Sequence, residues 1–206
     1  MVSKSQEKVI EAAKQVFMRY GYKRVTMADI AEAAGMSRPA LYLVFPSKEE
    51  IFTALLTRVF AAALDEIRQG LGRLPTAREK LTLAFEVWAV RPFEMTLASP
   101  DAKDLYESSY QFATEVTTNA TADFVAIVAE VLEPLVARQD KVDLSSIQIA
   151  RILTSALPGF KSSATTADQL RELIAGLVTV VLASLGSRER TRKHGKKIAK
   201  RSPRQR

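Results

Sequence analysis

The sequence predicts an all-α protein, in which a three-helix N-terminal domain with a helix-turn-helix precedes a larger helical domain. Three observations predict it. Apolar residues recur three and four apart along most of the chain, with little alternation of period two. The stretch TMADIAEAAGMSRPALYLVFPSKEE, Thr26 to Glu50, holds two short capped helices around a glycine. Prolines and glycines punctuate the remainder at spacings that suit helix ends.

In the first helix Val9, Ala13, Val16, Phe17 and Tyr20 share one face, and Gly21 stops it. Thr26 is an N-cap, and Asp29 three residues on completes a capping box. The helix they open carries Ile30, Ala31, Ala33 and Ala34, small enough for close packing. Gly35 follows where a left-handed residue is needed, and Met36 plugs the turn into the core. Ser37 caps the next helix, with Pro39 in its first turn, where a missing N–H costs nothing. There Leu41 and either Val44 or Phe45 face inward, leaving Arg38, Pro39, Ala40, Tyr42 and Leu43 outside. Pro46 ends it, and Ser47 with Glu50 forms another capping box. Ile51, Leu55, Val59, Ala62 and Ile67 then carry a long fourth helix to about Gln69, ended by Gly70, Gly72 and Pro75.

Two capped helices around a glycine also occur in bundles with no role on DNA. The outer face separates the two readings. No acid lies between Glu32 and Glu49, and a helix presenting Arg, Pro, Tyr and Leu suits phosphates and base edges. The run from Phe17 to Phe52, through Gly21, Thr26, Ile30, Ala31, Ala34, Gly35, Ser37, Leu41, Tyr42, Phe45 and Lys48, closely resembles the DNA-binding domain of TetR-family bacterial transcriptional regulators. Two features depart from that family. Val44–Phe45–Pro46 stands where an aromatic or His usually precedes the Phe and no proline follows. Leu43 replaces a residue that is often polar and contacts phosphate. The resemblance implies a ligand-responsive repressor acting as a homodimer on a palindromic operator. It places Ser37, Arg38, Pro39, Ala40 and Tyr42 in the major groove, with Leu43 on the same face. Thr26, Tyr42 and Lys48 fall on phosphates. Arg38 is the candidate for guanine, because its fork matches O6 and N7.

Composition narrows the classes further. The chain has 206 residues, 47% of them hydrophobic, enough for a DNA-binding module and a larger helical body. With no cysteine, disulfides and thiol chemistry are excluded, and the single histidine, His194, sits in a polar tail. No metal, cofactor or catalytic residue is expected. The start is amphipathic and carries acids, unlike a signal peptide, and the longest apolar run, Leu173 to Gly186, is too short for a bilayer. A cytoplasmic bacterial protein with no membrane partner is the expectation. The net charge of +7 is unevenly placed. Residues 188–206 hold ten Lys/Arg against one acid, residues 1–48 eight against four, and residues 49–187 twelve against eighteen.

The organisation read from these patterns is a DNA-binding domain at 1–50, a helical ligand-binding and dimerisation domain at 51–187, and a basic tail at 188–206. Expected body helices are Thr76–Val90, about Asp101–Val136 either continuous or broken near Ser108, Ser145–Leu157 and Ala167–Gly186. Pro92, Pro100 and Pro158 mark breaks, and Pro134 lies near a helix end. In the resembled family a small effector binds in the body. The aromatic cluster containing Phe85, Trp88, Phe93, Met95, Tyr106 and Tyr110 is the pocket candidate, although such a stripe is more often plain core. The family's dimer interface uses the last two helices of each subunit, which suggests Ile149, Leu153, Leu170, Ile174, Leu177 and Val181 as interface residues. A second apolar face on the last helix carries Ala175, Gly176, Val180 and Ala183. The tail cannot bury a core and reads as a nonspecific DNA-binding arm or a solvated appendage. Two other functions compete: a DNA-architectural protein working through the tail, and a DNA-processing enzyme bearing a helix-turn-helix.

Overall fold

Ser3 opens the first helix, α1 (Lys4–Tyr20), through a reciprocal cap with Gln6. The computed structural model describes residues 3–98, 104–105, 108, 112–139 and 142–186, and every regular element among them is helical. With α2 (Met27–Ala33), α3 (Arg38–Val44) and the start of α4 (Lys48–Leu71), α1 builds a small head. Val9, Ala13 and Phe17 of α1 meet Ile30 and Ala31 of α2, Leu41 of α3, and Ile51, Phe52 and Leu55 of α4. Phe17 is wholly buried and meets Phe52 edge-on at 5.5 Å between centroids. Truncating such a ring costs about 3–5 kcal/mol. Tyr20, expected on the same buried face, is 44% exposed instead, with the Arg19 guanidinium 5.2 Å from its ring. It lies at the end of α1, beyond the core.

Between α2 and α3 the chain reverses at Gly35, whose φ of +58° is open to glycine and strained for other residues. The Met36 amide donates to the Ala31 carbonyl, closing the end of α2. The helix α4 serves two cores. Its first turns belong to the head, beyond the boundary drawn at residue 50, while Leu64 and Ile67 belong to the body. On the bridge between them Val59 and Ala62 are exposed rather than inward-facing. Nor does Gly70 end the helix. A Cβ there would come 2.2 Å from Leu83 Cδ2, so glycine permits close approach of the next helix.

The body follows with α5 (Ala77–Phe85), α6 (Arg91–Ala98), α7 (Thr114–Val136), α8 (Ser146–Ser155), α9 (Leu157–Ser163) and α10 (Ala167–Ser184). The expected break at Pro92 is absent. One widened turn, Glu86–Val90, joins α5 to α6, with the Arg91 amide reaching back five residues to the Glu86 carbonyl. Widening relieves the clash and the missing donor that Pro92 would bring to a regular helix. Pro158 likewise sits in the first turn of α9, where it is tolerated. Pro134 lies inside the last turn of α7. Arg171 of α10 grips Glu86 of the widened turn with two hydrogen bonds, 2.8 and 3.0 Å.

The body's centre is aromatic. Phe124 of α7 is fully buried, stacked on Trp88 at 4.6 Å and 6°, and meets Phe85 edge-on at 5.5 Å. Phe60 of α4 lies 5.6 Å from Trp88 and ties the bridge helix into this group. Phe85 and Phe93, named as pocket candidates, are thus buried packing residues, and Met95 is 48% exposed. Tyr106 and Tyr110 lie outside the described residues, as does the tail 188–206.

Most of the residues expected at the dimer interface are occupied within this chain. Ile149, Leu153, Leu170 and Ile174 are buried inside this chain, and Leu177 and Val181 are partly buried against the same core. The regular stripe of α10 is taken by its own subunit. Its other face, with Leu173, Ala175, Gly176, Val180 and Ala183, remains exposed, as does Ile152 on α8. Among the described residues no helix is long and apolar enough to cross a membrane.

Candidate nucleic-acid interface

The geometry of α3 follows from its caps and its two anchors. Ser37 Oγ accepts from the Ala40 amide at 3.3 Å, and Pro39 occupies the first turn. Leu41 and Phe45 are buried, Val44 is half-buried, and these pin one side of the helix to the head. Ser37, Arg38, Pro39, Tyr42 and Leu43 are exposed and Ala40 is half-buried, so the part of α3 not pinned to the head carries the groove candidates. No acid lies on it. The Asp29 carboxyl of α2 is held below its ordinary range by the Thr26 amide first, then the Thr26 hydroxyl, with Arg38 adding attraction.

Two residues expected on phosphates are engaged within the protein. Thr26 is exposed, but its hydroxyl donates to Asp29 at 2.7 Å while accepting from the Asp29 amide at 3.3 Å. Its first role is to cap α2. Lys48 Nζ donates to the carbonyls of Tyr22 and Val25 at 3.0 and 2.9 Å and lies 4.3 Å above the Tyr22 ring. It staples the loop before α2 to the start of α4. Replacing Lys48 with Met is expected to lower unfolding stability by about 1.5–3 kcal/mol, the range for hydrogen bonds to a charged group. Urea unfolding checks this. A loss of DNA affinity with unchanged stability would return Lys48 to the phosphates.

Tyr22 is the residue that sequence reasoning missed. Its ring lies 4.6 Å from Phe52, 5.5 Å from Phe17 and 5.0 Å from Phe112, and its hydroxyl donates to Glu49 at 3.1 Å. Burial, then the Glu49 carboxylate, pushes that hydroxyl above its usual range. Beside it the Lys23 amide donates to Asp104 Oδ2 at 2.9 Å, and Lys23 Nζ stands 3.1 Å from Asp104 Oδ1. Leu105 packs on the head's core. A segment 81 residues away in sequence therefore holds the loop before α2. Only the aromatic pair around Gly21 hinted at this joint.

The Asp104 pair has a pH signature. Burial pushes its carboxyl up, but the Lys23 amide, then the Lys23 side chain, outweigh this and hold it below the ordinary range. A depressed carboxyl stabilises the fold fully above its unfolded value, about 3.9, and loses that contribution as pH falls through the folded value. Asp104→Asn is therefore expected to cost up to about 1 kcal/mol at neutral pH. The gap from the native protein should close as pH falls through the depressed folded value, where both side chains become neutral. Chemical unfolding across pH measures it.

Residues 9–55, which hold the buried core of this head, match the sequence profile of bacterial regulatory proteins of the tetR family. The head is thus similar to the DNA-binding domain of that family. It is similar to the HTH-type transcriptional regulator YfiR of Bacillus subtilis, 41% identical over 86 residues, which cover 42% of this chain and 37% of that one. It is also similar to the HTH-type transcriptional activator FasR of Mycolicibacterium smegmatis, 31% identical over 126 residues and 56% of each chain. The chain thus spans about a third to a half of the length of these relatives. In fold it is similar to Thermus thermophilus FadR, a TetR-family repressor solved with lauroyl-CoA. The TM-score is 0.60 at 24% identity, covering 92% of this chain and 100% of that one. Among the described residues, no group of His, Asp or Glu is placed to hold a metal ion.

Proposed function

We propose that this chain is a sequence-specific DNA-binding transcription regulator, a ligand-responsive repressor acting as a homodimer on a palindromic operator. The observation that carries the reading is the acid-free outward face of α3, held on a capped and packed helix. Such a face fits the major groove, with Arg38 suited to guanine O6 and N7. Support for a dimer comes from the exposed apolar face of α10, since two copies can place recognition helices about 34–36 Å apart, one helical turn of DNA. Support for an effector comes from the body's aromatic composition and from FadR, a protein of like fold whose structure contains lauroyl-CoA. The effector would act by binding the two arrangements of head and body unequally. Asp104, Leu105 and Phe112 against Tyr22 and Lys23 form the contact it would have to shift. A competition assay with the full chain tests the reading. A selected DNA should outcompete random DNA by at least about 1,000-fold at fixed salt. Near-equal competition would favour an architectural protein instead, and strand cleavage would favour an enzyme.

A further inference from the structure

Leu43 is 90% exposed, the most exposed large apolar side chain among the described residues. It anchors nothing in the head, since Leu41 and Phe45 hold the opposite side of α3. Pro39 precedes it by four residues, so the two stand one above the other. With about 100° between successive residues, the direction facing away from Leu41 and Phe45 runs through Leu43, with Pro39 about 40° to one side. The centre line of the outward face is therefore apolar, with Tyr42, 52% exposed, alongside.

A solitary exposed leucine is ordinary on a solvated surface. Leu43 instead crowns the face that, in the proposed function, enters the major groove. Neither it nor Pro39 can hydrogen-bond through its side chain. A polar base edge pressed against them would lose water and gain no partner. The groove offers one apolar group that distinguishes base pairs, the C5 methyl of thymine. A methylated cytosine carries the same group. We propose that Leu43, backed by Pro39, reads a pyrimidine C5 methyl group near the centre of each half-site, making it a specificity-determining residue. This rests on the DNA-binding reading.

The test uses the full-length protein and a DNA site recovered from a random library. Each thymine is replaced singly by deoxyuridine, and each cytosine by 5-methyldeoxycytidine, in binding titrations with native protein and Leu43→Ala. One or two deoxyuridine positions per half-site should weaken native binding about fourfold, the ratio expected for one buried methyl, and weaken Leu43→Ala less than about twofold. A methylated cytosine that strengthens native binding but not Leu43→Ala would support the same contact with cytosine as the source. Equal losses in both proteins would overturn the assignment to Leu43, and no sensitive position would overturn methyl reading altogether. Failure to recover any preferred site would overturn the regulator reading itself, a distinct result. Leu43→Ala leaves the core untouched, and its thermal unfolding should match the native protein.

Discussion

Val180→Arg is expected to yield a folded monomer that binds the full palindrome about 100-fold to 10,000-fold more weakly, the range by which tethering two binding modules raises affinity. Val180 is 66% exposed on the free face of α10, one turn from Gly176, where an added Cβ would meet no atom within 4 Å. Leu173 and Ala183 extend this strip along the helix. An arginine placed there in a dimer would bury an unpaired charge, which costs several kcal/mol. In the monomer the same side chain would stand in water, so stability should change by less than about 0.5 kcal/mol. Sedimentation and unfolding curves measure the two effects separately. Ile174→Arg is the contrasting variant: Ile174 lies in the body's core, and the whole fold should fail. A Val180→Arg protein that stays dimeric would move the interface elsewhere.

Arg38→Ala is expected to weaken the selected site by about 5-fold to 150-fold, which corresponds to about 1–3 kcal/mol for a bidentate contact with guanine. Random DNA should be affected far less. The loss should concentrate at one or two base pairs, so that changing those pairs no longer matters to the variant. Arg38 is exposed in the first turn of α3, and its removal leaves Leu41 and Phe45 in place. Binding titrations against single-base variants measure this. An equal loss on selected and random DNA would make Arg38 a phosphate contact instead.

Local chemistry made the head legible. Capping residues mark helix starts directly, and Thr26 with Asp29, Ser37 and Ser47 all cap as their types suggest. At Ser47 half of the expected box is found, Ser47 accepting from the Glu50 amide, while the neighbouring Glu49 accepts from Tyr22. Gly35 takes the left-handed turn expected of it. The engagement of Lys48 and Thr26 was not legible. An ammonium suited to phosphate is equally suited to two carbonyls, and which it meets depends on the fold.

In the body, residue types located apolar helices but not which of their faces the chain's own core takes. The most regular stripe of α10, Leu170, Ile174, Leu177 and Val181, promised an interface, yet a subunit's own core has first claim on such a stripe. What remains for a partner is the less hydrophobic face. Phe85 and Trp88 looked available to a ligand because their partner Phe124 is more than 30 residues away in sequence. Pro92 looked like a break because only three dimensions reveal the widened turn that accommodates it.

A sequence-reading α3, doubled by a second copy of the chain, is the core of the proposed function. Selection of random duplex DNA by the full-length protein, followed by sequencing of the bound fraction, tests both parts at once. The expected outcome is an inverted repeat with half-site centres about 10 base pairs apart, lost when the Val180→Arg protein is used. Enrichment of no sequence, or of a single asymmetric site that Val180→Arg binds equally well, would contradict it.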